Sequence, residues 1–138
     1  MSKISGPLLD RIDLHIEVPA VEFKELSSEG PPGTSSEAMR ETVGIARRMQ
    51  IDRFQSVRKT RNNAQMSSSQ LRQFCRLGPE CQNILKSSVQ DMGLSARAHD
   101  KILRVARTIA DLEESLSIEI PHLQEAVNYR MLDRQLWT

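Results

Sequence analysis

Arg97 stands two residues after Ser95 in the string GLSARAHDKILRVARTIADL. Gly93 is the residue type wanted at a helix C-cap and Ser95 the type wanted at the next N-cap, which places Arg97 in the first turn of a helix. The aligned peptide dipoles make that end electropositive, so a cation there is locally unfavourable. An anion such as a phosphate, shared by the free N–H groups and the guanidinium, would account for it. Lys101 and Arg104 continue at steps of four and three, with Arg107 flanking. The same spacing also describes a solvated basic face opposite an apolar stripe.

Arg11 lies in GPLLDRIDL, between Asp10 and Asp13. Projected from the mouth of a sheet, its planar fork could stabilise charge on a transferring phosphoryl group of a neighbour. A local ion pair with either aspartate is the competing reading, and spacing does not separate the two. A third arrangement is broader. Between Arg40 and Arg61 there are seven cations (Arg40, Arg47, Arg48, Arg53, Arg58, Lys59, Arg61) against two acids, Glu41 and Asp52. Steps of seven and eleven put Arg40, Arg47 and Arg58 on one helical face, with Val43, Ala46, Phe54 and Val57 on another. That is a candidate nucleic-acid backbone stripe or a solvated face. One Tyr, one Trp and three Phe give little support for a stacking platform.

Two other strings carry less. Gly30 to Thr34 reads GPPGT, but Ser35, Ser36 and Glu37 stand where a phosphate-binding loop needs a glycine, a lysine and a hydroxyl residue. A flexible linker is the better reading. His15, His99 and His122 have no metal-ligand spacing with one another or with a cysteine, and are expected at the surface or at helix caps.

The elements that must position these residues change in kind along the chain. Residues Arg11 to Val18 alternate, with Ile12, Leu14, Ile16 and Val18 on one side, which is a strand signal. One strand cannot satisfy its own backbone, so the expectation is a final strand whose sheet lies outside this chain, or one paired with a second copy. Residues 1 to 35 are accordingly expected to be poorly ordered or paired in that way. From Ser36 to Trp137 the periodicity is helical, and about four helices are expected, with breaks near Asn62–Ser69, Leu77–Pro79, Met92–Ser95 and Ser115–Pro121. Leu94, Ala98, Ile102, Val105, Ile109 and Leu112 form the strongest apolar stripe. Pro121 suits the first turn of the last helix, where Leu123, Ala126 and Val127 face inward. The expected organisation is a strand segment over 1–19, a linker over 20–36 and a mainly α helical bundle over 37–138.

At 138 residues the chain fits one ordinary domain or a domain carrying a piece of another. Nineteen Lys+Arg against eighteen Asp+Glu leave a net charge of +1, so any charge-driven role must be local. Apolar runs fall far short of the roughly 20 residues of a membrane span. Two cysteines, Cys75 and Cys81, make no disulfide framework or zinc knuckle; they are expected as small buried hydrophobes in a reduced, cytoplasmic protein.

ISGPLLDRIDLHIEVP at 4–19, QLRQFCRL at 70–77, LSARAHDKILRVARTIADL at 94–112 and HLQEAVNYRMLDR at 122–134 resemble, in this order, the C-terminal part of the magnesium-chelatase-like AAA+ ATPases. The competence-related branch, of YifB or ComM type, is the nearest. The resemblance implies the last strand of an ATPase core followed by its helical lid. It implies that Arg11 is an arginine finger reaching a neighbouring subunit's ATP, and that Arg97 is a sensor 2 arginine contacting the terminal phosphate. ATP and magnesium would belong to the full-length protein, with none bound tightly here, because the Walker A lysine, Walker B acid and sensor 1 are absent. The implied partners are an N-terminal ATPase core, further copies in a ring, expected to be a hexamer, and DNA, in recombination or competence; no membrane is implied. Two alternatives stand beside this: a free-standing helical nucleic-acid-binding module without ATPase, and the lid of a metal-chelatase motor subunit.

Overall fold

The computed structural model describes residues 5–131. It contains seven α-helices: α1 (Gly6–Leu9), α2 (Phe23–Leu26), α3 (Ser36–Phe54), α4 (Ser68–Phe74), α5 (Pro79–Met92), α6 (Ala96–Leu112) and α7 (Ile120–Asn128), with a 3-10 turn at Asn63–Gln65. The helix starts follow the sequence chemistry. Ser35, Ser67 and Ser95 each accept a backbone N–H three residues on, and Gln70 completes a capping box with Ser67. Pro79 and Pro121 sit in the first turns of α5 and α7, where no N–H is missed. Gly93 ends α5 at φ +60°, a left-handed conformation in which a Cβ would be strained.

The core forms around α6, which packs on α7, α3, α4 and the 3-10 turn. Its buried cluster includes Phe54, Met66, Leu71, Leu85, Ile102 and Leu123. Of the predicted stripe, Ala98, Ile102 and Ile109 are buried and Leu94, Val105 and Leu112 are half-buried. Leu123, Ala126 and Val127 face inward as expected, and both cysteines are buried.

The strand is the main correction. No strand exists among the described residues, and the only bridge is an isolated parallel one between Leu77 and Ile118. Gly6–Leu9 coils into a single helical turn, and Leu14 to Glu22 has no regular hydrogen-bonded structure. Alternation reports only a two-faced segment, and a strand also needs a ladder, which nothing in the bundle offers. Ile16 and Val18 stay 65% and 79% exposed. Among the described residues from Ser36 onward there are five α-helices where about four are expected, and two single turns, α1 and α2, stand before them in the expected strand and linker segments. A second correction concerns α3, which stops at Phe54, so Arg58 lies in the following turn, outside the helical register assumed for it.

Candidate functional site

The N-terminus of α6 is built as the sequence requires. Ser95 Oγ accepts from Ala98 N at 3.1 Å, and His99 N bonds to Ser95 O at 3.0 Å. The N–H groups of Ala96 and Arg97 therefore have no intrahelical acceptor and remain available to an anion. The Arg97 side chain is exposed, with no hydrogen bond or ion pair to any described residue.

The three cations that follow are used inside the molecule. Lys101 Nζ, one turn beyond Arg97, forms a close ion pair with Asp13 and also donates to the Arg11 carbonyl at 3.2 Å. Arg104 donates to the Met66 carbonyl at 2.8 Å. Arg107 is buried, bonding the Ser115 and Leu116 carbonyls and pairing with Asp111. Burial pulls its pKa below the usual guanidinium value, with Asp111 opposing. A continuous basic face on α6 is thus not what the spacing produces; Arg97 alone is left open.

The Lys101 clasp brings the Arg11 stretch against the same helix. Arg130 donates to the Ile12 carbonyl and approaches Asp10 at 4.0 Å, and His15 N bonds to Tyr129 O at 2.8 Å. Leu9 is buried. Asp10 and Asp13, the supposed local partners of Arg11, are thus engaged by Arg130 and Lys101. The Arg11 side chain is exposed, with no ion pair among the described residues. Nothing in the spacing of Lys101, Asp13 and Arg130 announced this long-range clasp.

The remaining candidates are scattered. Arg40 and Arg47 are exposed on α3, and Arg58 is exposed beyond it. The GPPGT loop is exposed and irregular, entered from α2 rather than from a strand. His122 caps α7: its Nδ1 accepts from Glu119 N at 3.0 Å, which leaves Nε2–H to donate to Glu113 at 2.8 Å. His15 is buried rather than superficial, and His99 pairs with Asp100. Among the described residues no group of three or more His, Cys, Asp or Glu could hold a metal, and no helix is long and apolar enough to cross a membrane. Burial pushes the Cys75 thiol up to about 11 and raises that of Cys81, so neither is a ready nucleophile.

Two family models match the chain. The magnesium chelatase subunit ChlI C-terminal model covers residues 33–130, and the magnesium chelatase subunit ChlI model covers residues 1–26. The chain belongs to the magnesium-chelatase ComM/YifB-type AAA+ family, as its C-terminal region. Similar relatives include the YifB protein of Escherichia coli (strain K12), 42% identical over 136 residues. The competence protein ComM of Haemophilus influenzae is 38% identical over the same length. Each match takes in 99% of this chain but 26% of the relative, so the chain spans about a quarter of the length of these relatives. The family's resemblance strings fall on α4, α6, α7 and the clasped stretch around Arg11, up to Met131; Leu132 to Arg134 lie outside the described residues.

Proposed function

We propose that this chain is the lid of a longer AAA+ ATPase and passes the nucleotide state of one subunit to the next. The carrying observation is Arg97, exposed in the first turn of α6 beside unsatisfied N–H groups, while every following cation of that helix is bound internally. In the sensor 2 role Arg97 holds a terminal phosphate oxygen of ATP, and Arg11 reaches a neighbouring subunit's nucleotide as the finger. The break between the two matched family models, residues 27–32, supports a core-derived stretch, a linker and a lid. Arg97 fits one edge of a polyphosphate, and the magnesium of the full-length protein is assigned to its ATPase core. ATP supplies the terminal phosphate whose presence or loss the lid senses. Arg97 and the α6 N–H groups bind that charge, and the Lys101 clasp keeps Arg11 in fixed relation to them.

Arg97→Ala in the full-length protein is expected to lower ATP turnover roughly tenfold or more, with the melting temperature unchanged. Unchanged turnover would remove the sensor role. DNA remodelling in a hexameric ring is the favoured task, supported by the similarity to a competence protein. It predicts ATPase stimulation by single-stranded or branched DNA, and absence of stimulation would turn the reading to another substrate.

A second reading, a nucleic-acid-binding module acting without ATPase, draws on the exposure of Arg40 and Arg47. It requires tight binding of DNA by this chain alone, weakening steeply with salt.

A further inference from the structure

A groove of about 830 Å³ lies between α4, α5 and one side of α6. Its floor is apolar, from Leu71, Leu85, Val89 and Leu103. Its rim carries Arg72, Arg76 and Lys86, all exposed and none bonded or ion-paired to any described residue. The one carboxylate lining it, Asp100, is paired with His99 at 3.1 Å. Such a groove suits an acidic segment with apolar anchors.

The chain carries such a segment. Between Ile16 and Glu29 there are four glutamates, Glu17, Glu22, Glu25 and Glu29, against Lys24. Val18, Phe23 and Leu26 are 79%, 83% and 70% exposed. Helix α2 puts Phe23 and Leu26 three residues apart, on one face, with Glu22 and Glu25 beside them. We propose that the Phe23–Leu26 turn of one copy seats in the α4–α5–α6 groove of a second copy, its glutamates meeting Arg72, Arg76 and Lys86.

The route of the chain favours a second copy over its own groove. The segment departs at Leu14, which lines a cleft with Lys101 and Val105, and it returns to α3, whose Val43 and Ala46 adjoin Thr108 and Leu112. Leu103 and Val105 point about 200° apart on α6. The groove therefore faces away from both ends of the segment, and a neighbouring copy takes it without a detour around α6. The contact joins two different surfaces, so it is head-to-tail and repeats around a ring or along a filament. It needs no nucleotide and stands independently of the roles proposed for Arg97 and Arg11.

The test uses the 138-residue chain without nucleotide. A photo-crosslinking phenylalanine analogue replaces Phe23, and this chain is mixed with a mass-labelled copy; crosslinks are expected on α4 or α5 of the labelled copy. In sedimentation equilibrium, Phe23→Ala with Leu26→Ala is expected to weaken self-association roughly tenfold or more. Arg72→Glu with Lys86→Glu should weaken it similarly, and adding Glu22→Lys with Glu25→Lys should restore it. A chain that stays monomeric at every concentration, crosslinks confined to one copy, or a charge swap that restores nothing overturns the proposal.

Discussion

Arg53 grips Asp111 through both carboxylate oxygens, Nη1 to Oδ2 at 2.8 Å and Nη2 to Oδ1 at 2.5 Å, and so ties α3 to α6 across 58 residues of sequence. Asp111 is fully buried, accepts from Asn63 Nδ2 at 2.8 Å and lies in an ion pair with Arg107 Nε at 3.2 Å. One carboxylate thus pairs with two guanidinium groups, leaving the cluster one positive charge in excess, and holds the 3-10 turn. The pairing is hydrogen-bonded at every oxygen, which is what allows charges to lie this deep.

Asp111→Ala strands both arginines without an anion and is expected to cost about 3–5 kcal/mol, read by denaturant unfolding. Asp111→Asn keeps the shape and should cost less. A loss under about 1 kcal/mol for the alanine variant would show that Arg53 and Arg107 find other partners or water.

Cys75 gives a pH dependence. Its thiol is pushed from 9.0 to about 11, first by burial, with Arg107 and Arg53 pulling the other way. The folded state thus favours the neutral thiol. That contribution to stability is complete below pH 9 and is lost as pH climbs toward 11. Unfolding free energies of the chain should therefore fall between pH 9 and 11 more steeply than those of Cys75→Ala. Equal slopes would place the alkaline loss elsewhere.

Lys101→Ala opens the clasp on Asp13 and the Arg11 carbonyl. Asp13 is exposed, so the global cost is expected to be small, about 0–1 kcal/mol. The local effect should be larger: hydrogen exchange of the His15 amide, bonded to Tyr129 O, should speed up severalfold while α6 amides keep their protection. Unchanged exchange at His15 would mean that Arg130 and Leu9 hold this stretch unaided.

The helical lid was legible where single residues carry a local requirement. Gly93 and Ser95 mark a boundary because a left-handed cap and an N-cap oxygen are each met by few side chains. The stripe from Leu94 to Leu112 is legible because burial on one face repeats with the helix. Arg53, Arg107 and Asp111 were not, since a charged letter shows no sign of the partner that lets it be buried. The N-terminal stretch misled for a related reason: Ile12 to Val18 alternates as a strand does, but pairing is decided by a neighbour that the alternation cannot specify. At the candidate site, sequence singles out Arg97 and Arg11 as candidates but gives no sign of the Lys101 clasp that brings their backbones to one helix.

Helix α6 runs through the middle of the bundle and touches α3, α4 and α7, while α5 leans on α7. Among the described residues this leaves no seam along which one half could slide past the other. Any swing would therefore carry the clasped Leu9–His15 stretch along with α3 to α7, so that Arg11 and Arg97 travel together, as two rivets on one oar blade.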